Sequence, residues 1–394
     1  MPIENPRNCS LPADMYSLAD YGSMIADGGR FAAYAKAIAN AVRPGDTVAE
    51  IGCGPGVLSL LACRAGARRV FAIELDDSIH SARRLAAANG FTDRIEFFQS
   101  DSRKTELPER VSVIVSDIRG ALPFSGSAIP SIEDARQRFL VPGGLLIPQR
   151  DMLKAAVVEA KEYYGELAAP WQKALGGLDL SSPLSLVLNG YYAVSFKPEQ
   201  LLTEPLTWQV LDYSVGAATN ATASLRFRVA RTGTAHGLCL WFETQLLVDI
   251  CYSSGPGGSA TIYGQIFLPW LDPVTVTEGQ EIQVELHADL IGQDYVWRWE
   301  TRIPATANNP ETHFRQSTFQ GANFSPDSLR RQAVDYVPLL CEAGQADLWM
   351  LEKMDGKTSL QEIAQSASRR FPRLFSSWRE ALQHAVDLSR RFSR

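Results

Sequence analysis

The sequence predicts an α/β domain on a parallel sheet, followed by an antiparallel β-barrel with a helical arm and a small helical unit. Three observations predict it. Residues 47–148 alternate short apolar runs with helical stretches, the mark of βαβ units. Residues 155–300 switch to period-2 patterning broken by turn clusters. From residue 328 onward the spacing is helical again.

The apolar runs at 47–51, 69–73, 95–99, 111–116 and 145–147 read as five strands. Helix-period stretches at 57–65, 77–89 and 131–140 lie between them, and Pro142-Gly143-Gly144 turns the chain into the fifth strand. Past Pro148, Leu225-Arg226-Phe227-Arg228-Val229 and the run 281–286 alternate as half-buried strands do. The cluster 253–258 is a turn, and a helical insert lies at 161–175. Residues 303–327 are polar and without period, which predicts a linker. The expected domains are therefore 1–150, 151–302 and 328–394, joined across 303–327.

A chain of 394 residues is too long for one typical core. Hydrophobic content of 45% and charged content of 21% are those of a soluble globular protein. The six cysteines form no C-x-x-C pair and share no metal-ligand spacing with the five histidines, so reduced thiols and a cytoplasmic location are expected, with no metal. The start at Met1-Pro2-Ile3-Glu4-Asn5-Pro6 lacks a basic start followed by an apolar run, and no later run reaches membrane-spanning length, so no membrane partner is expected. Net charge is −6, which argues against a nucleic-acid partner. The last 44 residues carry nine Lys/Arg against five Asp/Glu, leaving the tail at +4 and the remainder at −10.

Chemistry concentrates in Glu50-Ile51-Gly52-Cys53-Gly54-Pro55-Gly56 and in Glu74 at the end of the next apolar run. Glycines at Gly52, Gly54 and Gly56 let backbone approach a ligand with no Cβ in the way, and the following helix offers free N–H groups there. A carboxylate about 20 residues on can accept both hydroxyls of a ribose. The glycine order differs from the dinucleotide pattern G-x-G-x-x-G; a dinucleotide site or a bare structural turn remain the other readings.

The E-x-G-x-G-x-G order with Glu74 resembles motif I of the S-adenosylmethionine-dependent methyltransferases. Over residues 15–302 the order of Rossmann-like domain, barrel and arm is similar to that of the protein arginine methyltransferases. Met24-Ile25-Ala26-Asp27-Gly28-Gly29-Arg30 sits where that family has M-L-x-D-x-x-R. Trp171 with Gly177-Leu178-Asp179-Leu180-Ser181 resembles its dimerisation arm, at about 160–182, and His236–Phe242 matches one of its barrel strands. The resemblance implies S-adenosylmethionine as cofactor, S-adenosylhomocysteine as product, and a homodimer. It implies a cofactor site of Met24, Arg30, Glu50, Gly52, Cys53, Gly54, Gly56, Glu74, Leu75, Asp101, Ser102 and Ser116, with Arg30 on the methionyl carboxylate.

The departures fall at the acceptor end. The family's S-E-W-M-G…E loop, whose two glutamates clamp a guanidinium, reads Ser116-Asp117-Ile118-Arg119-Gly120 here, and the second glutamate falls on Gly126. Its T-H-W loop reads Thr261-Ile262-Tyr263. Two carboxylates orient a planar cation and balance its charge, so one shorter acid beside Arg119 holds a guanidinium poorly.

Asp117 and Arg119 are the candidate catalytic residues. Asp117 would orient or deprotonate the acceptor, whereas capping the next turn would be its structural role. Arg119 would recognise an acidic acceptor or quieten Asp117. Tyr16 and Tyr21 would close over the cofactor or pack in the core, and His80, His236 and His287 are expected to be structural or surface groups. The expected activity is methyl transfer to N or O of a peptide, protein or small-molecule acceptor. An arginine methyltransferase drawing its second acid from Glu133 or Asp134, and a non-catalytic interaction module, are the alternatives. The D-G-x-x-x-x-x-E-I-A run from Asp355 resembles small winged-helix-like peptide-recognition domains; a plain helical cap is the simpler reading.

Overall fold

The computed structural model describes residues 16–258, 261–305 and 310–393. The amino-terminal residues and Cys9 lie outside the described residues. The chain divides into two compact units, Met1–Ala322 and Asn323–Arg394.

The first unit opens with α1 (Leu18–Ala26), started by a Ser17/Asp20 capping box, and α2 (Gly28–Ala41), whose first turn Asp27 caps. Then β1 (Thr47–Ile51), α3 (Val57–Ala65), β2 (Arg69–Glu74), α4 (Ile79–Ala88), β3 (Ile95–Gln99), β4 (Val111–Ser116), α5 (Ala128–Phe139) and β5 (Leu140–Ile147) alternate as the periodicity predicts. The sheet order is β3-β2-β1-β4-β5, all parallel. Successive crossovers run from β1 to β2 to β3, then the chain returns to place β4 on the other side of β1. The carboxyl ends of β1 and β4 therefore meet at the topological switch point, where open α/β sheets bind ligands. β1 is buried along its whole length, as a central parallel strand must be.

The barrel region follows as β6 (Arg150–Val158), α6 (Lys161–Gln172), α7 (Leu184–Leu188), β7 (Tyr192–Val194), β8 (Leu206–Asp212), β9 (Ala221–Arg228), β10 (Gly233–Leu247), β11 (Ile250–Ser253), β12 (Gln265–Val276), β13 (Glu281–Ile291), β14 (Asp294–Ile303) and β15 (Thr312–Ser317). One antiparallel sheet runs β7-β12-β10-β6-β8 with β11 on β10; the other runs β15-β14-β13-β9. Alternation along β13 buries Ile282, Val284 and Leu286 and exposes Glu281 and Glu285. One continuous core joins the parallel sheet to both barrel sheets, from Ile51 and Phe71 through Phe124 to Trp208, Trp270 and Trp299. The expected linker 303–327 is corrected in part. Residues 312–317 form β15 and pair with β14, with Phe314 and Gln316 turned inward.

The second unit holds α8 (Pro326–Arg330), α9 (Glu342–Glu352), α10 (Leu360–Arg370) and α11 (Trp378–Phe392). Asp355 Oδ1 accepts from Lys357 and Thr358 N–H at 2.9 and 2.8 Å, and a Ser359/Glu362 capping box starts α10. Its core is Met350, Ile363, Phe371, Phe375 and Leu388 with small alanines between them.

Candidate active site

The glycine turn follows β1 directly. Gly52 and Cys53 N–H both donate to the Ile73 carbonyl, at 2.9 and 3.0 Å, which ties the turn to β2. Gly52, Gly54 and Gly56 have φ of 71°, 50° and 78°, the left-handed region that glycine enters without strain. A Cβ on Gly54 would meet the Tyr21 ring at 2.6 Å, and one on Gly56 would meet Ala82 at 2.8 Å. At the end of β2, Glu74 Oε2 accepts from Gly54 N–H at 2.7 Å and Oε1 from Asp76 N–H at 3.0 Å. Each carboxylate oxygen keeps acceptor capacity for a ligand hydroxyl. The cradle thus fits a nucleoside cofactor.

Behind the turn, Glu50 is buried and accepts the Ser59 hydroxyl from α3. Burial pushes its carboxyl up to about 8, so it is largely protonated at pH 7. Cys53 is buried too, and burial raises its thiol. Leu75, just past Glu74, is exposed. From α1, Tyr21 lies over Gly54, and its hydroxyl accepts from Ser78 Oγ at 3.4 Å.

The loop after β4 builds the second half of the site. Ser116 Oγ donates to the Ile51 carbonyl at 3.2 Å, locking β4 to β1. Asp117 follows. Arg30 donates to it from Nε at 2.6 Å, with Nη2 at 2.5 Å, and Tyr263 places its hydroxyl 2.7 Å from each carboxylate oxygen. Arg119 Nη2 reaches Asp117 Oδ1 at 3.1 Å. Burial pushes the Asp117 carboxyl up, but Arg119, Arg30 and the Tyr263 hydroxyl outweigh it and hold it below the usual carboxylate range. Arg30 Nη1 also donates to the Met24 carbonyl at 2.9 Å, which joins α1 to this cluster.

Arg119 is fully buried. Its Nη1 donates to Asp151 Oδ1 and to Thr244 Oγ1, each at 2.6 Å; Nη2 donates to the hydroxyls of Tyr34 at 2.9 Å and Tyr252 at 2.6 Å. The guanidinium stands 5.0 Å from the Phe242 ring centroid. Tyr213 donates to the other oxygen of Asp151 at 2.7 Å. Arg119 Nε is a buried donor with no hydrogen-bond partner among the described residues.

Asp101 follows Ser100, whose N–H donates to the Glu74 carbonyl at 3.0 Å; Asp101 caps a short turn and accepts from Arg103 Nε and Nη2 at 3.1 and 2.9 Å. Ser102 is buried, and its carbonyl accepts from Arg138 at 2.7 Å. Glu133 accepts from Arg136 and Gln137, and Asp134 from Arg138; Gly126 offers no side chain. His236 accepts Ala160 N–H at 3.2 Å, His287 meets Thr222 and His80 meets Arg83. Tyr16 packs edge-on against Tyr21 at 5.8 Å. Sequence reasoning missed Asp27 and Tyr263. Asp27 Oδ2 accepts Ile262 N–H at 3.1 Å, so the backbone of the T-I-Y loop is held where its side chain is not. The signal for Tyr263 was its place beside the altered loop.

Two family models cover the first unit in succession. Residues 34–149 match the ribosomal protein L11 methyltransferase model, and residues 149–294 match the arginine methyltransferase oligomerization subdomain. The chain is 32% identical over 287 residues to protein arginine N-methyltransferase 6 of Xenopus laevis, covering 68% of this chain and 81% of that protein. The chain belongs to the protein arginine methyltransferase family. It is also 31% identical over 264 residues to a probable histone-arginine methyltransferase CARM1 of Oryza sativa subsp. indica, covering 62% of this chain and 49% of that relative, so it spans about half the length of that protein. Among solved structures, the Trypanosoma brucei PRMT1 enzyme–prozyme heterotetrameric complex with AdoHcy superposes with a TM-score of 0.71 at 19% identity, over 76% of this chain and 98% of that one. Arabidopsis thaliana protein arginine methyltransferase 10 superposes with a TM-score of 0.67 at 23% identity, over 76% and 97%. These likenesses agree with the fold of the first unit: a parallel sheet followed by the barrel.

Proposed function

We propose that this member of the arginine methyltransferase family is an S-adenosylmethionine-dependent methyltransferase acting on an N or O atom of a peptide, protein or small-molecule acceptor. The observation that carries the reading is Glu74, fixed by Gly54 and Asp76 N–H groups at the lip of a left-handed glycine turn. Glu74 would hold the ribose hydroxyls, the turn and the start of α3 the methionyl part, and Arg30 beside Met24 its carboxylate. The cofactor supplies a methyl group on a positively charged sulfur. The chain's own work is positional: Asp117 and Tyr263 fix the floor on which the acceptor rests, and alignment supplies much of the rate.

A second reading, protein arginine N-methylation, is favoured by the names of the relatives. It needs a guanidinium to be held without a second acid, since Gly126 stands where one would be. Assembly as a homodimer is part of the proposal. Leu175 and Leu178 are exposed on the arm, inside the segment that matches the oligomerization model. A cytoplasmic location is proposed from the thiols of Cys53, Cys63, Cys239, Cys251 and Cys341, all unpaired.

Calorimetric titration with S-adenosylhomocysteine tests the reading. Micromolar or tighter binding supports it. No heat from a demonstrably folded protein would leave the non-catalytic interaction module as the better account.

A further inference from the structure

Two guanidiniums hold Asp117, and they are held very differently themselves. Arg119, which stands where the family pattern has Met, is closed to solvent and gripped from four elements besides its own loop. Asp151 on β6 and Thr244 on β10 take Nη1 at 2.6 Å each; Tyr34 on α2 and Tyr252 on β11 take Nη2 at 2.9 and 2.6 Å. Tyr213 fixes the far oxygen of Asp151 at 2.7 Å. A cation so braced offers Asp117 one geometry, with Nη2 3.1 Å from Oδ1. Arg30 keeps 12% of its side-chain surface in contact with solvent. It is also the group that the methyl-transfer reading turns toward a methionyl carboxylate. Two carboxylates on one guanidinium divide its charge between them. Asp117 would then keep less of Arg30, in a place where burial opposes ionisation.

Resting on the methyl-transfer reading above, we infer that Arg119 is a positioning residue: braced by Asp151, it holds the Asp117 carboxylate in one place and as an anion while Arg30 is shared with the cofactor. Arg119 reaches no acceptor atom, since its side chain is closed to solvent, and acts through Asp117 alone. The chain length of the acid suits this role. Asp117 is one methylene shorter than the glutamate of the family pattern, so its carboxylate stays near its own loop, where Arg119 two residues on can reach it. Asp151 balances the second buried cation, so Arg119 can serve Asp117 without leaving an uncompensated charge inside the fold. The other groups facing Asp117 supply no positive charge. The hydroxyls of Tyr34, Tyr252 and Tyr263 are neutral, burial raising each of them, and Glu50 on β1 is largely protonated at pH 7.

The test is carboxyl-carbon NMR of the full chain labelled in aspartate, alone and with saturating S-adenosylhomocysteine, with the Asp117 signal assigned by its loss in D117N. In the parent, Asp117 should titrate alike in both states, because its fixed partner does not change when Arg30 is shared. Arg119→Met strands Asp151, so the double variant R119M/D151N, which removes both charges together, is the working form. Its Asp117 should titrate at least about one pH unit above the parent, the effect of losing an adjacent opposite charge, and the rise should be larger with S-adenosylhomocysteine bound. A double variant that titrates as the parent does would overturn the proposal. So would a rise in the parent on loading, which needs no variant to fold and would make Arg30 the group that keeps Asp117 ionised. Either result would leave the methyltransferase reading in place. Absence of S-adenosylhomocysteine binding to the folded parent would remove that reading and the proposal together.

Discussion

Arg119 and Asp151 form an ion pair at 2.6 Å in which both side chains are fully buried, one from the loop after β4 and the other from the first barrel strand. The pair joins the parallel sheet to the barrel across the acceptor end of the site. Removing one partner leaves an uncompensated buried charge, which costs about 3–5 kcal/mol, whereas replacing both costs far less. Arg119→Met should therefore lower unfolding free energy by that amount, and R119M/D151N should recover much of it. Urea unfolding of the two variants decides this; equal stability of both would show the pair to be uncoupled.

The Tyr263 hydroxyl touches Asp117 and also accepts from Arg30 Nε at 2.9 Å. Phenylalanine there keeps the ring packed on Phe242 and removes only that oxygen. Tyr263→Phe should cost about 1–3 kcal/mol, the range for a buried hydrogen bond to a charged group. Asp117 should then titrate higher than in the parent protein, because the hydrogen bond that helps lower it is gone while burial remains. Carboxyl-carbon NMR on labelled aspartate reads the shift; an unchanged titration would mean the arginines alone set it.

What the residues disclosed beforehand follows the range of the interactions. The glycine turn, Glu74 and the five parallel strands rest on local periodicity and turn chemistry, and the strands begin within one residue of expectation except β5, which starts earlier at Leu140. β15 escaped because its inward positions include Gln316, a polar residue whose amide donates to the Leu188 and Pro269 carbonyls across the barrel. A period-2 reading cannot see a buried glutamine as core. The state of Asp117 was equally hidden, since Arg30, Asp151, Thr244, Tyr252 and Tyr263 come to it or to Arg119 from up to 146 positions away.

Glu50 gives the stability of the fold a distinctive pH dependence. Its carboxyl titrates at about 8 in the folded chain against a reference of 4.5. Between those values the native state holds a proton that the unfolded chain has released, so stability falls as pH rises through the window. The full contribution is present below about 4.5 and lost above about 8. Glu50→Gln keeps a partner for the Ser59 hydroxyl and cannot ionise. Relative to the parent it should gain stability from pH 5 to pH 8, by on the order of a few kcal/mol. Chemical denaturation of both proteins at the two pH values tests this, and a pH-independent difference would exclude it.

Glu74→Ala should weaken S-adenosylhomocysteine binding by at least about tenfold, the loss expected when charge-assisted hydrogen bonds to two hydroxyls go. The same change frees Gly54 N–H, which Glu74 now holds at 2.7 Å, so a fall in thermal stability is expected alongside. Glu74→Gln separates the effects, because its amide oxygen still accepts from one backbone group while the charge is lost. Calorimetry giving parent-like affinity for the alanine variant would remove Glu74 from the ribose.

The arm supplies the last test. Leu175 and Leu178 are 72% and 65% exposed in the loop between α6 and α7, where Gly176 and Gly177 take φ of 60° and 80° to turn the chain. Two large apolar side chains held out on a tight turn bury nothing within their own protomer. A homodimer would cover them, at roughly 25 cal/mol for each Å² of apolar surface removed from water. The double variant L175D/L178D places two carboxylates there and leaves the cores of both units untouched. Sedimentation at micromolar concentration should give a dimeric mass for the parent and a monomeric mass for the variant, with unchanged unfolding of the monomer. A monomeric parent would sink the homodimer, and a dimeric variant would move its interface away from the arm.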